Sequence, residues 1–486
     1  MISTLFNLIF LPFLTLGDLL GLPHWLLYVT VIALPTYAYL TRNNRRWSAA
    51  AVPGPRPWPV LGNMGHFMRV GFAQDPQLVQ EYGRVFGFFQ MTLPSLAVAK
   101  TELVKEVCIK DFDYFQNRQS DAVPVQRELE HAVTQLKGEE WKGLRNVITP
   151  TFSAAKMRRM SKIITECAKD FVAALSKHGE GEVEMKRLAG NFTSDVIGRT
   201  MFGININTQE DLNSPFVVHV KRAFEEINWF RVLPMMLLMV FPSSVRVPIF
   251  KFFNLGAFDK ECLDFFSASI RSVLHMRKEL RDENKPNDFI QLMLEAHDTE
   301  IEAKEGSEKV SALESTNETY ELVKDWRVGK RALTESEIMS NAIIFFMVGY
   351  ETTASAISWM FHLLAFHQPV QQRLYQEVCA KMDSANGEIG YDEVASMPYL
   401  DQVFCETLRL YPSALRADRV CNKTTKVGDT LIQKGELLHI LIYAIHHDAE
   451  YWPEPERFDP DRFAPKNKAA IRPYSWIPFG TGLWEW

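Results

Sequence analysis

The chain has 486 residues, 47% of them hydrophobic and 23% charged, with a formal net charge of −6. That balance excludes the basic face of a nucleic-acid binder, and the length allows one large enzyme domain or about three smaller ones. Six cysteines are scattered without a Cys-x-x-Cys pair or a Cys/His cluster, which excludes a disulfide framework and a zinc site.

Two apolar stretches come first, Leu5–Leu16 and Trp25–Leu40. The second is near the minimum length of a membrane-spanning helix, and Arg42, Arg45 and Arg46 follow it. The positive-inside rule then places the body on the cytosolic side. The first stretch fits either a second crossing or a segment lying in the interface. Residues 1–47 read as a membrane anchor. Pro53, Pro55, Pro57 and Pro59 remove backbone donors and favour extended chain, giving a stiff hinge over 48–65 ahead of a body over 66–486.

The body reads as mainly α with small β-sheets. Ser161–Gly179 has the periodicity of an amphipathic helix that stops at a glycine. Thr334 and Glu337 form a capping box ahead of a long segment that is apolar nearly all round, so that helix is expected to run through the core. Between Asp298 and Ala332 lies a charged, Ser/Glu/Lys-rich stretch that reads as a solvated loop. Strand signals are few and short, among them "PSLAVAK" and "TLIQKG".

Three motifs carry chemistry. In "FCETLRLYP", Glu406 and Arg409 are three residues apart and share a helical face, so they can pair and recruit further partners. In "YWPEPERFDPDRF", Arg462 is flanked by aromatic residues and prolines that would hold it rigidly. In "VGYETT", Glu351 and Thr352 place an acid and a hydroxyl inside an apolar helix, where polar groups need a partner. A hydroxyl bonded back to the preceding turn is the plainer reading of Thr352.

In this order, and followed by "PFGTG", these motifs resemble the cytochrome P-450 haem-thiolate monooxygenases over nearly the whole chain. The resemblance implies that fold, a haem b cofactor and a lipophilic substrate. It also implies electrons from a membrane-bound NADPH-cytochrome P-450 reductase, with cytochrome b5 as a second donor, at the endoplasmic reticulum. Glu406 and Arg409 would lock with Arg462 on the proximal side of the haem. Trp141 and Arg145 of "EEWKGLR", with Arg419 of "LRADRVC", would reach its propionates, and Phe479 would belong to its loop. Glu351 and Thr352 would deliver protons during oxygen activation. Val348 stands where the family has Ala or Gly, which would crowd that groove.

"EEWKGLRNVITPTFS" and "YLDQVFCETLRLYP" look most like the microsomal drug- and steroid-hydroxylating branch, while "AIHHDAEYWPEPERF" is also similar to its relative thromboxane-A synthase, an endoperoxide isomerase. Retention of Thr352 favours the monooxygenase. After Phe479, Gly480, Thr481 and Gly482 the pattern departs. Leu483 and Trp484 stand where the family has Pro and Arg, and Trp486 stands at the cysteine whose thiolate binds iron. An indole has no lone pair to offer in its place, so the 486 residues are expected to hold no metal ligand there. The helix and small sheet that follow that point in the family are expected to be missing from these 486 residues, which read as a truncated domain. The rival expectation is a non-catalytic, membrane-anchored protein that binds lipophiles.

Overall fold

The computed structural model describes residues 23–118, 125–179, 181–209, 214–225, 234–236, 238–256, 258–279, 288–298 and 333–482. The apolar stretch Leu5–Leu16, the charged stretch after Asp298 and the four residues Leu483–Trp486 lie outside them. Numbering helices of eight or more residues, the chain forms α1 (His24–Thr41), α2 (Asp75–Tyr82), α3 (Gly138–Ile148), α4 (Ala154–Ser176), α5 (Met185–Met201) and α6 (Pro215–Glu225). It continues with α7 (Ser243–Phe253), α8 (Lys260–Glu279), α9 (Phe289–Asp298), α10 (Glu335–Phe366), α11 (Gln368–Ser384) and α12 (Pro398–Leu410). The strands are β1 (Val85–Gln90), β2 (Leu93–Val98), β3 (Ala417–Val420), β4 (Thr425–Val427), β5 (Thr430–Ile432) and β6 (Leu437–Ile440). The molecule is thus mainly α with small sheets, as the sequence predicts.

One core forms where α10 packs along α5 and α8, with Phe266, Phe289, Phe346 and Ile343 at its centre. The long helix starts at the predicted capping box: the Thr334 hydroxyl accepts from the Glu337 N–H, and Glu337 returns a bond to the Thr334 N–H. Such a cap contributes about 1 kcal/mol, and each fully buried Phe about 2 kcal/mol. By length and composition alone α10 would also pass for a membrane span, but these contacts make it the core helix. The amphipathic helix predicted from Ser161 begins earlier, at Ala154, after the extended residue Ser153, and Gly179 follows its end with φ of 54°.

The second core lies around a four-stranded sheet of order β1-β2-β6-β3. β1 and β2 are antiparallel, β2 and β6 parallel, and β6 and β3 antiparallel. The proline-rich segment is stitched to this sheet. The Gly87 N–H donates to the Pro53 carbonyl at 2.8 Å, and the Asn63 N–H to the Phe89 carbonyl at 2.9 Å. Gly54 is required there, because a Cβ would lie 1.9 Å from the Gly87 carbonyl oxygen. Trp47 is buried and donates its indole N–H to the Phe88 carbonyl at 3.0 Å. Arg46 pairs with Glu436 at 2.5 Å, so the segment that follows α1 is tied to the sheet region.

Candidate active site

Backbone pairing assembles a cluster of cations from three separate segments. The Val420 N–H donates to the Asn117 carbonyl at 2.8 Å, which brings Arg118 alongside β3 and its Arg419. The Asn117 side chain holds the start of α3, accepting from the Gly138 N–H at 3.3 Å, and its Nδ2 donates to Asn422 Oδ1 at 3.1 Å. Helix α3 carries Trp141 and Arg145 one turn apart. Trp141 is fully buried, its ring 6.1 Å from that of Phe112. Arg419 is buried, and Arg118 and Arg145 are half-buried. Burial first, and then the charges of Arg419 and Arg145, pull the Arg118 guanidinium down to about 10, against the opposing charge of Asp418. Burial alone pulls Arg145 down to about 10. Like charges brought together out of water are costly. A ligand carrying two carboxylates matches this donor set of guanidiniums and an indole N–H, and the propionates of haem fit it.

Elsewhere, Glu406 and Arg409 of α12 form a fully buried bidentate pair, with Arg409 Nε and Nη2 donating to the two carboxylate oxygens at 2.7 and 2.9 Å. Glu406 also accepts from the Asp459 N–H at 3.0 Å. Arg409 donates onward to the carbonyls of His446, at 2.8 Å, and Arg457, at 3.2 Å. Arg462 Nε lies 3.4 Å from the same carboxylate, and its Nη2 donates to the Glu454 carbonyl at 2.9 Å. The structure therefore brings Glu406, Arg409 and Arg462 together. The segment Ile477–Gly482 runs past this network. Its Gly480 and Gly482 have φ of 83° and 77°, which favour glycine, and a Cβ on Gly482 would lie 2.3 Å from the Cys108 carbonyl oxygen. Phe479 is exposed, edge-on to Trp476 at 6.4 Å. Burial pushes the Cys108 thiol up, opposed by the nearby Arg419. Trp486 lies outside the described residues.

The third motif lies on α10. Val348 is 45% exposed although it sits mid-helix between the buried residues Met347 and Tyr350, so one face of the helix is open here. Thr352, one turn on, donates its hydroxyl back to the Val348 carbonyl at 2.8 Å. Glu351 points elsewhere: Lys186 Nζ donates to its Oε1 at 2.6 Å, and Ser355 approaches the same oxygen at 3.3 Å. The structure thus separates the two residues of the predicted proton path. Thr352 stands one turn from the open position Val348, while Glu351 sits in an ion pair with α5.

Sequence reading missed Arg118, Asn117 and His446. Arg118 lacks a helical neighbour to mark it, and only the pairing of Asn117 with Val420 reveals its place. A signal for the asparagine existed, since a polar side chain next to an arginine can bond nearby backbone, but its partner lies 21 residues away.

The cytochrome P-450 family model matches residues 52–483. Among curated proteins the chain is similar to cytochrome P-450 3A2 of Rattus norvegicus, 33% identical over 466 residues that make up 95% of this chain and 86% of the relative. Cytochrome P-450 3A11 of Mus musculus gives the same identity and coverage. Cytochrome P-450 3A5 of Homo sapiens is 33% identical over 467 residues, again 95% of this chain and 86% of the relative. With a family match over most of its length and with these relatives, the chain belongs to the cytochrome P-450 family of haem-dependent monooxygenases.

Proposed function

We propose that this protein is a membrane-held monooxygenase acting on lipophilic small molecules at the endoplasmic reticulum, its body on the cytosolic side and its electrons supplied by NADPH-cytochrome P-450 reductase. The observation that carries the reading is the convergence of Arg118, Arg145, Arg419 and Trp141, a site for the two carboxylates of a porphyrin. When bound, haem supplies the oxygen-activating redox chemistry of the family. The chain's own part is to seat the propionates in that cluster and to present Val348 and Thr352 beside the substrate. For Glu351 to pass a proton to Thr352 Oγ1, the Lys186 contact must open first. The exposed Leu34 and Tyr37 of α1, and Val245, Phe252 and Phe253 of α7, support a membrane-facing side.

Iron-free protoporphyrin tests the cluster without involving an axial ligand. The free diacid is expected to bind at least about tenfold more tightly than its dimethyl ester, since a charge-assisted hydrogen bond contributes about 1.5–3 kcal/mol. Equal binding of acid and ester rejects the assignment.

The second reading rests on Trp486. With an indole at the cysteine position, we propose that these 486 residues give no thiolate-ligated haem and no oxygenation by themselves. The reduced, carbon monoxide-bound difference spectrum of the chain should lack the red-shifted Soret band of thiolate ligation. A band in the unaltered chain shows that another cysteine reaches the iron. Retention of the Thr352 hydroxyl argues for the monooxygenase over an endoperoxide isomerase similar to thromboxane-A synthase.

A further inference from the structure

We infer that His446 is a positioning residue that hangs the haem-side loop on α12 through a single neutral imidazole. His446 is fully buried, at the end of the short helix Ile442–His446. Its Nδ1 lies 3.1 Å from the Arg409 carbonyl, and its Nε2 lies 3.0 Å from the Ile477 N–H. A carbonyl can only accept and a backbone amide can only donate. The ring must therefore carry its proton on Nδ1 and keep the Nε2 lone pair free for Ile477. The Arg409 carbonyl belongs to the last turn of α12, where helix carbonyls have no intrahelical donor. One imidazole thus caps the helix that holds the Glu-Arg pair and fixes the first residue of the loop.

The loop has a second point of attachment to the same helix. The Trp476 indole N–H donates to the Cys405 carbonyl at 3.1 Å. Adjacent loop residues are therefore tied to carbonyls one turn apart on α12, one directly and one through His446. Two attachments fix both the height and the direction of the chain leaving Ile477, where one would act as a pivot. A protonated ring would turn a second N–H towards the Ile477 amide and lose that bond. Burial and the neighbouring Arg409 charge hold the ring neutral, with its pKa down to about 3.

A merely well-packed core histidine would leave the loop indifferent to the ring's hydrogen bonds. Hydrogen exchange of the haem-free full chain separates the two roles. In H446F the amides of residues 475–482 are expected to lose protection by about tenfold or more, the worth of one buried hydrogen bond, beyond any change in α5 and α10. H446Q, which offers both a donor and an acceptor, should restore part of it. A loss spread evenly over the molecule, or none in 475–482, overturns the inference. Should H446F fail to fold, H446Q and the wild-type tautomer still decide: nitrogen-15 shifts must show Nδ1–H and an acceptor Nε2 near neutral pH, and the opposite tautomer overturns it. That this loop faces haem rests on the family reading, but the exchange experiment uses no porphyrin. Failure of the porphyrin-binding test therefore leaves its outcome unaffected.

Discussion

The two charged regions of the site are built on opposite principles. The cluster of Arg118, Arg145 and Arg419 gathers like charges, and Arg419 and Arg145 raise the cost of charging Arg118, against the opposing charge of Asp418. The network of Glu406, Arg409 and Arg462 shares one carboxylate between two guanidiniums and leads its remaining donors to backbone carbonyls. Surplus charge of one sign makes a place for a ligand of the other sign. Charge paired with its opposite and bonded to backbone makes a scaffold. Substitutions in the two regions should therefore fail differently.

The largest effect is expected in the scaffold. E406Q removes the carboxylate charge and leaves Arg409 buried without its counter-ion, at a cost of about 3–5 kcal/mol. The urea midpoint of the haem-free protein should fall accordingly, or the variant should not accumulate in folded form. A loss below about 1 kcal/mol would put Glu406 in the same class as the surface pairs and end the contrast.

Acid should act on the scaffold next. The folded pKa of His446 lies near 3, below its ordinary value of 6.5. The unfolded chain therefore binds this proton first as pH falls, and stability is lost between about 6.5 and about 3. The full loss for a buried histidine of this kind is on the order of 5 kcal/mol. Denaturation measured between pH 7 and 4 should be steeper for the wild type than for H446Q. Parallel pH profiles would mean that His446 is already able to charge in the folded state.

The cationic cluster should respond in binding more than in folding. R118Q removes one of three mutually repelling charges, so stability is expected to stay within about 1 kcal/mol of wild type, while protoporphyrin binding weakens by about tenfold or more. Fluorescence titration with the free diacid and with its dimethyl ester checks this, because the ester should not distinguish R118Q from wild type. An R118Q protein that unfolds before it loses the porphyrin would make the cluster a second scaffold.

This contrast also explains what could be read from the sequence. Glu406 and Arg409 were legible because helical spacing puts residues three apart on one face. The start of α10 was legible because a capping box is local, and the strand in "PSLAVAK" because it is a short, mostly apolar run, although the strand begins before the proline, at Leu93. Arg462 was marked by its flanking aromatic residues and prolines, and Trp141, Arg145 and Arg419 came from the family resemblance. Their meeting depends on pairings such as Asn117 with Val420, more than 300 residues apart in the chain, which no local periodicity encodes. His446 was hidden for the same reason. One of its partners lies 37 residues before it and the other 31 after, and a histidine in an apolar run carries no mark of either bond.

The smallest expected effect falls on α10, and it decides how Thr352 is to be read. Its hydroxyl donates to the Val348 carbonyl, which an α-helix already supplies with the Thr352 backbone N–H, so the second bond is redundant for folding. The side chain is half-buried, and valine has nearly its shape, so T352V should change stability by no more than about 0.5 kcal/mol. A larger loss would make the hydroxyl a structural brace, and the plainer reading of "VGYETT" would hold. A negligible loss leaves a polar group one turn from the open position Val348 that contributes little to the fold, the condition under which a threonine hydroxyl is free to rotate towards a substrate and hand on a proton.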